Sequence, residues 1–142
     1  MVKKKERPNT SVGKRRLAIA RALVTPGKGN VKINSVPIAI WSNEPLRLWV
    51  KEPLSIAGEL SNTVDIDVNI KSGGTVGQAE AARMAIAKGL VKYSNDKTLK
   101  AKFLEYDRNL LVYDPRRNES HHSSGRGASK RGSRRHKQRS KR

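Results

Sequence analysis

The sequence of 142 residues contains no cysteine and few aromatic side chains. The absence of cysteine excludes disulfides, Cys-ligated zinc, iron–sulfur clusters and thiol nucleophiles. Aromatic residues make up 4% and hydrophobic residues 35% of the chain, so we expect one domain with a small, mostly aliphatic core. No apolar run approaches the roughly 20 residues of a membrane span, and no apolar stretch follows the basic start. We therefore expect neither a membrane segment nor a signal peptide, and we predict that the protein stays inside the cell.

Acidic residues are also scarce compared with basic ones. The chain has 31 Lys and Arg against 12 Asp and Glu, which gives a formal net charge of +19. So large an excess on so small a protein predicts a polyanionic partner. The alternative, that the charge only keeps the protein soluble, needs a much smaller excess.

Most of this charge lies at the two ends. Residues 1–16 carry +6, residues 17–114 carry +3 and residues 115–142 carry +10. We divide the chain into a basic N-terminal arm (1–13), a folded α+β domain (14–114) and an extended basic tail (115–142). The tail has no Val, Ile, Leu, Met or aromatic residue. It cannot bury enough apolar surface to offset the entropy of ordering, so we predict that it is disordered when free.

The first half of the domain reads as a strand pair followed by a helix. Leu17–Val24 predicts a strand, although Lys14–Val24 is rich enough in Ala and Leu to form a helix. A Pro-Gly-Lys-Gly turn and the alternating Val31–Ile33 then predict a hairpin. Trp41–Gly58 predicts a helix capped by Ser42 or Asn43, which Pro53 breaks or restarts. The core residues expected here are Trp41, Leu46, Trp49, Val50 and Leu54. Stacking of the two tryptophans on nucleic-acid bases is the alternative, but such apolar neighbours more often pack in a core.

The second half gives clearer patterns. Thr63–Ile70 alternates apolar and polar residues, which predicts a half-buried strand. A glycine turn, Ser72–Gly77, leads into a helix over Gln78–Val91. A last helix runs over Asn95–Leu104, and Leu110–Tyr113 predicts a strand or an extended anchor. The apolar residues that we expect to point inward from the two helices are Ala79, Ala82, Ile86, Leu90, Leu99 and Phe103.

The glycine turn does not match a nucleotide-binding motif. A dinucleotide fingerprint needs G-x-G-x-x-G, and Ser72 stands at the first glycine. A P-loop needs Lys after its last glycine, where this chain has Gln78. Two interpretations stay open: a tight turn that brings the helix close to the sheet, or a helix N-terminus that binds a backbone phosphate of RNA.

The sequence contains no recognisable catalytic set. The histidines, His121, His122 and His136, all lie in the tail and lack metal-ligand spacing. Asp65 and Asp67 share the polar face of one strand and could resemble an acid/base pair, but such carboxylates are more often solvated or paired with Lys. We therefore expect no enzyme activity, no metal and no cofactor.

Four stretches resemble one known family. The run Gly73-Gly74-Thr75-Val76-Gly77-Gln78-Ala79, with the small-residue helix that follows to Leu90, is similar to the signature of the small-subunit ribosomal protein S-nine family. Residues 13–21, 26–34 and 114–117, with the final Ser140-Lys141-Arg142, resemble the family's opening strand, hairpin turn and C-terminal end. Trp41 and residues 52–54 resemble archaeal and eukaryotic members more than bacterial ones.

This resemblance implies an α+β fold in which a four-stranded sheet carries helices on one face, as in the second domain of ribosomal protein S-five. It also implies a structural place in the head of the small ribosomal subunit, in the cytoplasm, bound to small-subunit ribosomal RNA and next to other head proteins. The tail of the family threads through RNA and its end approaches peptidyl-site transfer RNA. We expect no membrane partner and no homo-oligomer.

The resemblance also assigns roles to single residues. Ser140, Lys141 and Arg142 correspond to the transfer RNA contact, and Gly73, Gly74, Gly77 and Gln78 to the structural glycine turn. The expected ribosomal RNA ligands are Lys14, Arg15, Arg16, Arg116, Arg117, Arg126, Lys130, Arg131, Arg134, Arg135, Lys137 and Arg139.

Two features depart from the family pattern. Ser72 replaces a glycine, which is tolerable if its φ stays negative. Residues 118–124 replace an aromatic-glycine element, so the resemblance does not define the early path of the tail. A DNA-compacting protein and a small RNA-processing enzyme are the rival interpretations. The first would co-purify with DNA, and the second would need a cluster of acids or a His in the folded part.

Overall fold

A computed structural model of the chain describes residues 9–117, together with a short strand pair, Ala128–Ser129 and Gly132–Ser133. The prediction that the tail (115–142) is disordered concerns residues that lie mostly outside these ranges. Residues 9–117 form an α+β fold with a mixed five-stranded sheet and three α-helices. The strands are β1 (Thr10–Arg15), β2 (Ala18–Pro26), β3 (Val31–Ile33), β4 (Val36–Pro37) and β5 (Val64–Lys71). The helices are α1 (Glu44–Ala57), α2 (Thr75–Ser94) and α3 (Lys97–Tyr106).

The sheet has the order β1-β2-β5-β3-β4. The expected α+β class is confirmed, but the sheet has five strands and not four, because the two-residue strand β4 pairs with β3 at one edge. Strand β5 pairs antiparallel with β2 and parallel with β3. The parallel pair is connected through α1, as parallel strands require a crossover.

The predicted hairpin between Leu17–Val24 and Val31–Ile33 is wrong. Both segments are strands, but β5 lies between them. The carboxylate of Asp65 on β5 accepts hydrogen bonds from the backbone N–H groups of Lys28 (2.9 Å) and Asn30 (2.8 Å). The loop is therefore fastened to the inserted strand. The true hairpin is β1–β2, which turns through Arg16 and Leu17.

One face of the sheet is buried under α2, and α1 and α3 pack against α2. Ala18, Ala20, Ala22 and Val24 of β2 face the core, and the intervening residues face away from it. The close approach of α2 to β1 depends on Gly13. A Cβ on Gly13 would lie 2.0 Å from the carbonyl oxygen of Ala81. This distance is too short for any side chain, so the position requires glycine.

Helix α2 is longer than the sequence indicated and is buried on more than one side. It begins at Thr75 and not at Gln78, since the N–H of Gln78 already donates to the carbonyl of Gly74. The predicted inward residues of α2 and α3 are all buried, and Ala81, Ala85 and Ala87 of α2 are fully buried as well. A helix between a sheet and two other helices has little polar face left.

Helix α1 runs through Pro53 without a break, contrary to the prediction. Proline at this point removes one backbone hydrogen bond, but only about one turn of the helix follows it. Pro53 itself is buried, so its packing offsets part of that loss. Leu46 and Val50 are buried as predicted. Trp49 is 40% exposed, so its assignment to the core is wrong, while Trp41 and Leu54 pack at the edge of the core.

The end of the domain also differs from the prediction. Asn95 adopts a left-handed conformation that ends α2, and Asp96 caps α3 by accepting from the N–H of Thr98 at 2.8 Å. Leu110–Tyr113 forms no strand: a short 3-10 helix, Arg108–Leu110, is followed by irregular chain. Leu110 is nonetheless buried, so the segment does anchor the chain. None of the helices in the described part is long and apolar enough to span a membrane.

Candidate nucleic-acid interface

A largely covered carboxylate fixes the chain where it leaves the folded domain. The side chain of Asp114 is only 10% exposed and ion-pairs with Arg15, the last residue of β1. Arg116 also binds Asp114, with Nη2 of the guanidinium 2.8 Å from Oδ2 of the carboxylate. The hydrogen bonds from Arg116, followed by that from Arg15, hold the pKa of Asp114 far below its ordinary value. The start of the tail is therefore held beside the end of β1.

Arg15 links three parts of the fold. Besides Asp114 it ion-pairs with Glu80 of α2. A second cation of α2, Arg83, lies 2.6 Å from Glu52 of α1 and 3.0 Å from Asp107 beyond α3. These ion pairs connect the strand, the three helices and the exit of the chain, so they orient the basic ends relative to the domain.

Two predicted basic clusters meet at this edge. Lys14 and Arg16 are exposed on either side of Arg15. Arg116 keeps 84% of its side chain exposed, and Arg117 donates to the hydroxyl of Tyr113 at 2.6 Å. The guanidinium carbon of Arg117 also lies 5.7 Å from the centre of the Tyr113 ring. Lys14–Arg16 and Arg116–Arg117 thus form one cationic surface, which we call the basic edge.

The remaining predicted RNA ligands lie outside the described residues. They are Arg126, Lys130, Arg131, Arg134, Arg135, Lys137, Arg139, Ser140, Lys141 and Arg142.

The glycine turn adjoins the same end of the β1–β2 hairpin. Gly73 has φ +78, and a Cβ there would lie 2.7 Å from the Cβ of Ala18, so the fold requires glycine. A Cβ on Gly74 would meet nothing within 4 Å, and one on Gly77 would make only ordinary contacts at 3.7 Å. Gln78 closes the turn, since its side-chain amide donates to the carbonyl of Ser72 at 3.2 Å.

Ser72 has φ +65, so the condition under which a serine would be tolerated without strain, a negative φ, is not met. The chain holds a serine in a left-handed conformation that favours glycine. A glycine would adopt this conformation without steric cost, so the serine lowers the stability of the turn.

Asp65 and Asp67 do not form an acid/base pair. The carboxylate of Asp65 accepts hydrogen bonds from the N–H groups of Asn30 and Lys28 in the loop after β2. These hydrogen bonds lower the pKa of Asp65, and the bond from Asn30 has the larger effect. Asp67 is exposed opposite Lys32 on β3. Within residues 9–117 no cluster of three or more His, Asp and Glu side chains is suited to hold a metal.

Lys88 and Lys92 of α2 are cations that the sequence analysis missed. Their side-chain amines donate to the outward carbonyls of Val12 (3.4 Å) and Thr10 (3.1 Å) on the edge strand β1. Their spacing of four residues places them on one side of the helix. That signal was in the sequence, but only the strand order shows that this side extends the basic edge.

The fold and the basic edge together define a class of protein: a small α+β domain that presents converging cations to a polyanion such as a nucleic acid. Comparison with known proteins narrows the class. The chain belongs to the family described as ribosomal protein S9/S16, whose sequence model matches residues 13–142. This confirms the resemblance noted from the glycine turn.

Curated archaeal relatives agree. The chain is 43% identical over 114 residues to the small ribosomal subunit protein uS9 of Methanococcus vannielii, which covers 80% of this chain and 85% of the relative. It is 47% identical over 109 residues to uS9 of Pyrobaculum aerophilum, which covers 77% of each. The chain is therefore a small-subunit ribosomal protein that acts in translation, in a structural and not a catalytic family.

Proposed function

We propose that the domain docks on small-subunit ribosomal RNA in the head of the cytoplasmic ribosome through the basic edge, beside neighbouring head proteins. The tail would then follow the RNA to peptidyl-site transfer RNA. The observation that carries this proposal is the position of Asp114, which forms ion pairs with both Arg15 and Arg116. It brings the N-terminal basic cluster and the start of the tail to one side of the molecule.

The division of labour follows from the charges. Lys14, Arg16 and Arg117 are exposed and extend from ordered backbone, so they can contact phosphates with little ordering cost. Arg15 and Arg116 share the carboxylate of Asp114, and Arg116 keeps most of its side chain available to RNA. Arginine suits irregular RNA because its planar fork can bind phosphates and stack on bases.

Residues 115–142 carry +10 and almost no apolar side chain, so they can follow a phosphate backbone without a core of their own. In this proposal, Arg126 to Arg139 bind ribosomal RNA, and Ser140, Lys141 and Arg142 contact transfer RNA.

Deletion of residues 140–142 separates the two roles. Small subunits carrying the shortened chain should assemble and sediment normally but bind peptidyl-site transfer RNA more weakly in a filter-binding assay. A matched control replaces Lys141 by Arg and Arg142 by Lys, which keeps the charge and should keep transfer RNA binding. Loss of subunit assembly on this deletion, or undiminished transfer RNA binding, would contradict the assignment.

A further inference from the structure

A groove of about 560 Å³ lies along the outer side of β1, between α2 and the exit of the chain. Val12, Met84, Tyr113 and Pro115 supply its apolar and aromatic lining. Lys14, Lys88 and Arg117 also line it, each from a different segment of the fold. Met84 is only 5% exposed and Tyr113 is half-buried, so the lining is held by the domain and does not depend on surface side chains alone.

The groove carries positive charge that nothing in residues 9–117 neutralises. Its lining includes no acidic residue, and within that range Lys14, Lys88 and Arg117 make no ion pair. Burial, together with the charge of Lys14, lowers the pKa of Lys88. An anion between these cations would relieve the repulsion that the fold imposes on them.

The groove is a poor site for a peptide strand. A strand added to β1 would need the outward carbonyls of Thr10 and Val12, which already accept from the amines of Lys92 and Lys88. Lysines along an edge strand are a common means of preventing strand addition. The same amines have further protons to donate, so they remain suited to phosphate oxygens.

The stacking surface favours a nucleic-acid base. The Arg117 guanidinium lies over the Tyr113 ring. Unpaired RNA bases stack on aromatic rings and on Arg guanidinium planes, while Lys and Arg contact the phosphates on either side. The groove offers both in one place, and its volume lies within the range of small-molecule sites.

We propose that this groove holds one unpaired nucleotide of an RNA strand, with the base against Tyr113 and Met84 and the flanking phosphates on Lys14, Lys88 and Arg117. The inference rests on the proposed function, because it takes the RNA to be small-subunit ribosomal RNA. It adds Lys88, Met84 and Tyr113 to the interface and assigns them to a nucleotide-sized site.

The test uses the full chain and small-subunit ribosomal RNA from the same organism. Lys88→Gln should weaken binding more than Lys92→Gln does, although both variants lose one charge and one bond to a β1 carbonyl. Tyr113→Ala should weaken binding about tenfold through lost stacking, while Tyr113→Phe keeps the ring and should bind like the unchanged protein. Circular dichroism of each variant checks that the fold is retained.

Ultraviolet crosslinking locates the base directly. Irradiation of the complex, followed by nuclease and protease digestion, should yield a nucleotide adduct on Tyr113 by mass spectrometry. The inference alone is overturned if the unchanged protein binds the RNA but Tyr113 carries no adduct and the two pairs of variants bind alike. If the unchanged protein does not bind the RNA, the proposed function fails with it.

Discussion

The guanidinium of Arg15 and the carboxylate of Asp114, 99 residues apart in the sequence, form an ion pair at the edge of the sheet. Arg15 ends the first strand, and Asp114 is the last residue before the basic tail begins. Because Arg116 binds the same carboxylate, the two basic clusters of the chain are held together there. The ion pair thus converts two distant runs of charge into one surface.

Asp114→Asn should lower the free energy of unfolding at neutral pH, because the amide cannot replace the charge that pairs with both arginines. The pKa of Asp114 is lowered in the folded protein, so its stabilisation is complete above the ordinary Asp value of about 4 and is lost as the pH falls through the folded value. Denaturant unfolding should therefore show the gap between the unchanged protein and the variant narrowing as the pH falls from 7 toward 2.

The control for this prediction is Asp67→Asn, on the exposed face of β5. It removes the same charge without breaking an ion pair to Arg15 or Arg116. An equal loss of stability in both variants would show that net charge, and not the position of Asp114, is responsible.

Ser72→Gly should stabilise the protein by about 1 kcal/mol, since Ser72 has φ +65 and glycine adopts that conformation without steric cost. Ser55→Gly is the matched control. It lies within α1, where glycine should destabilise by about 0.5 kcal/mol. Midpoints of chemical denaturation measure both changes, and two shifts of the same sign would refute the conformational explanation.

Gly13→Ala should destabilise by about 3 kcal/mol, because its Cβ would overlap the backbone of Ala81 and α2 would have to move away from β1. Gly77→Ala makes the same chemical change at a site with room, inside the first turn of α2. There the better helix propensity of alanine should raise stability by up to about 1 kcal/mol. Thermal unfolding of the two variants should move in opposite directions.

The sequence predicted most elements but only part of their arrangement. Val64–Lys71 was predictable because apolar and polar residues alternate along it, and α2 because it is rich in alanine and other good helix formers. The insertion of β5 between β2 and β3 was not, since strand order depends on contacts between distant segments such as Asp65 with residues 28 and 30. Pro53 misled the prediction because a buried proline near the end of a helix is tolerated when its packing offsets the lost hydrogen bond.

The same holds for the candidate site: its local charge runs were predictable, but the contacts between distant segments were not. Lys14–Arg16 and Arg116–Arg117 were evident as charge runs, whereas Lys88 is a single cation in its stretch of α2, and its spacing from Lys92 shows only that the two share one side of the helix. The place of Lys88 in the basic edge depends on β1 being the outermost strand. Tyr113 was predicted as part of a strand or an extended anchor, and only the folded exit of the chain brings it to the groove.

Binding of the full chain to small-subunit ribosomal RNA should weaken steeply as salt rises, because each phosphate contact releases counterions. Removing residues 118–142 should make the plot of log affinity against log salt shallower by several units, at roughly 0.7 to 0.9 per lost contact. A control chain with every tail Arg changed to Lys keeps its charge and should keep the slope. An unchanged slope after truncation would contradict an electrostatic role for the tail.

The central claim, that this chain is built into the small ribosomal subunit by binding its RNA, is tested most directly by sucrose-gradient fractionation of a cell lysate. The chain should sediment with small subunits, leave that peak after ribonuclease treatment and be unaffected by deoxyribonuclease. A chain that stays at the top of the gradient, or that sediments with DNA and is released by deoxyribonuclease, would contradict the claim.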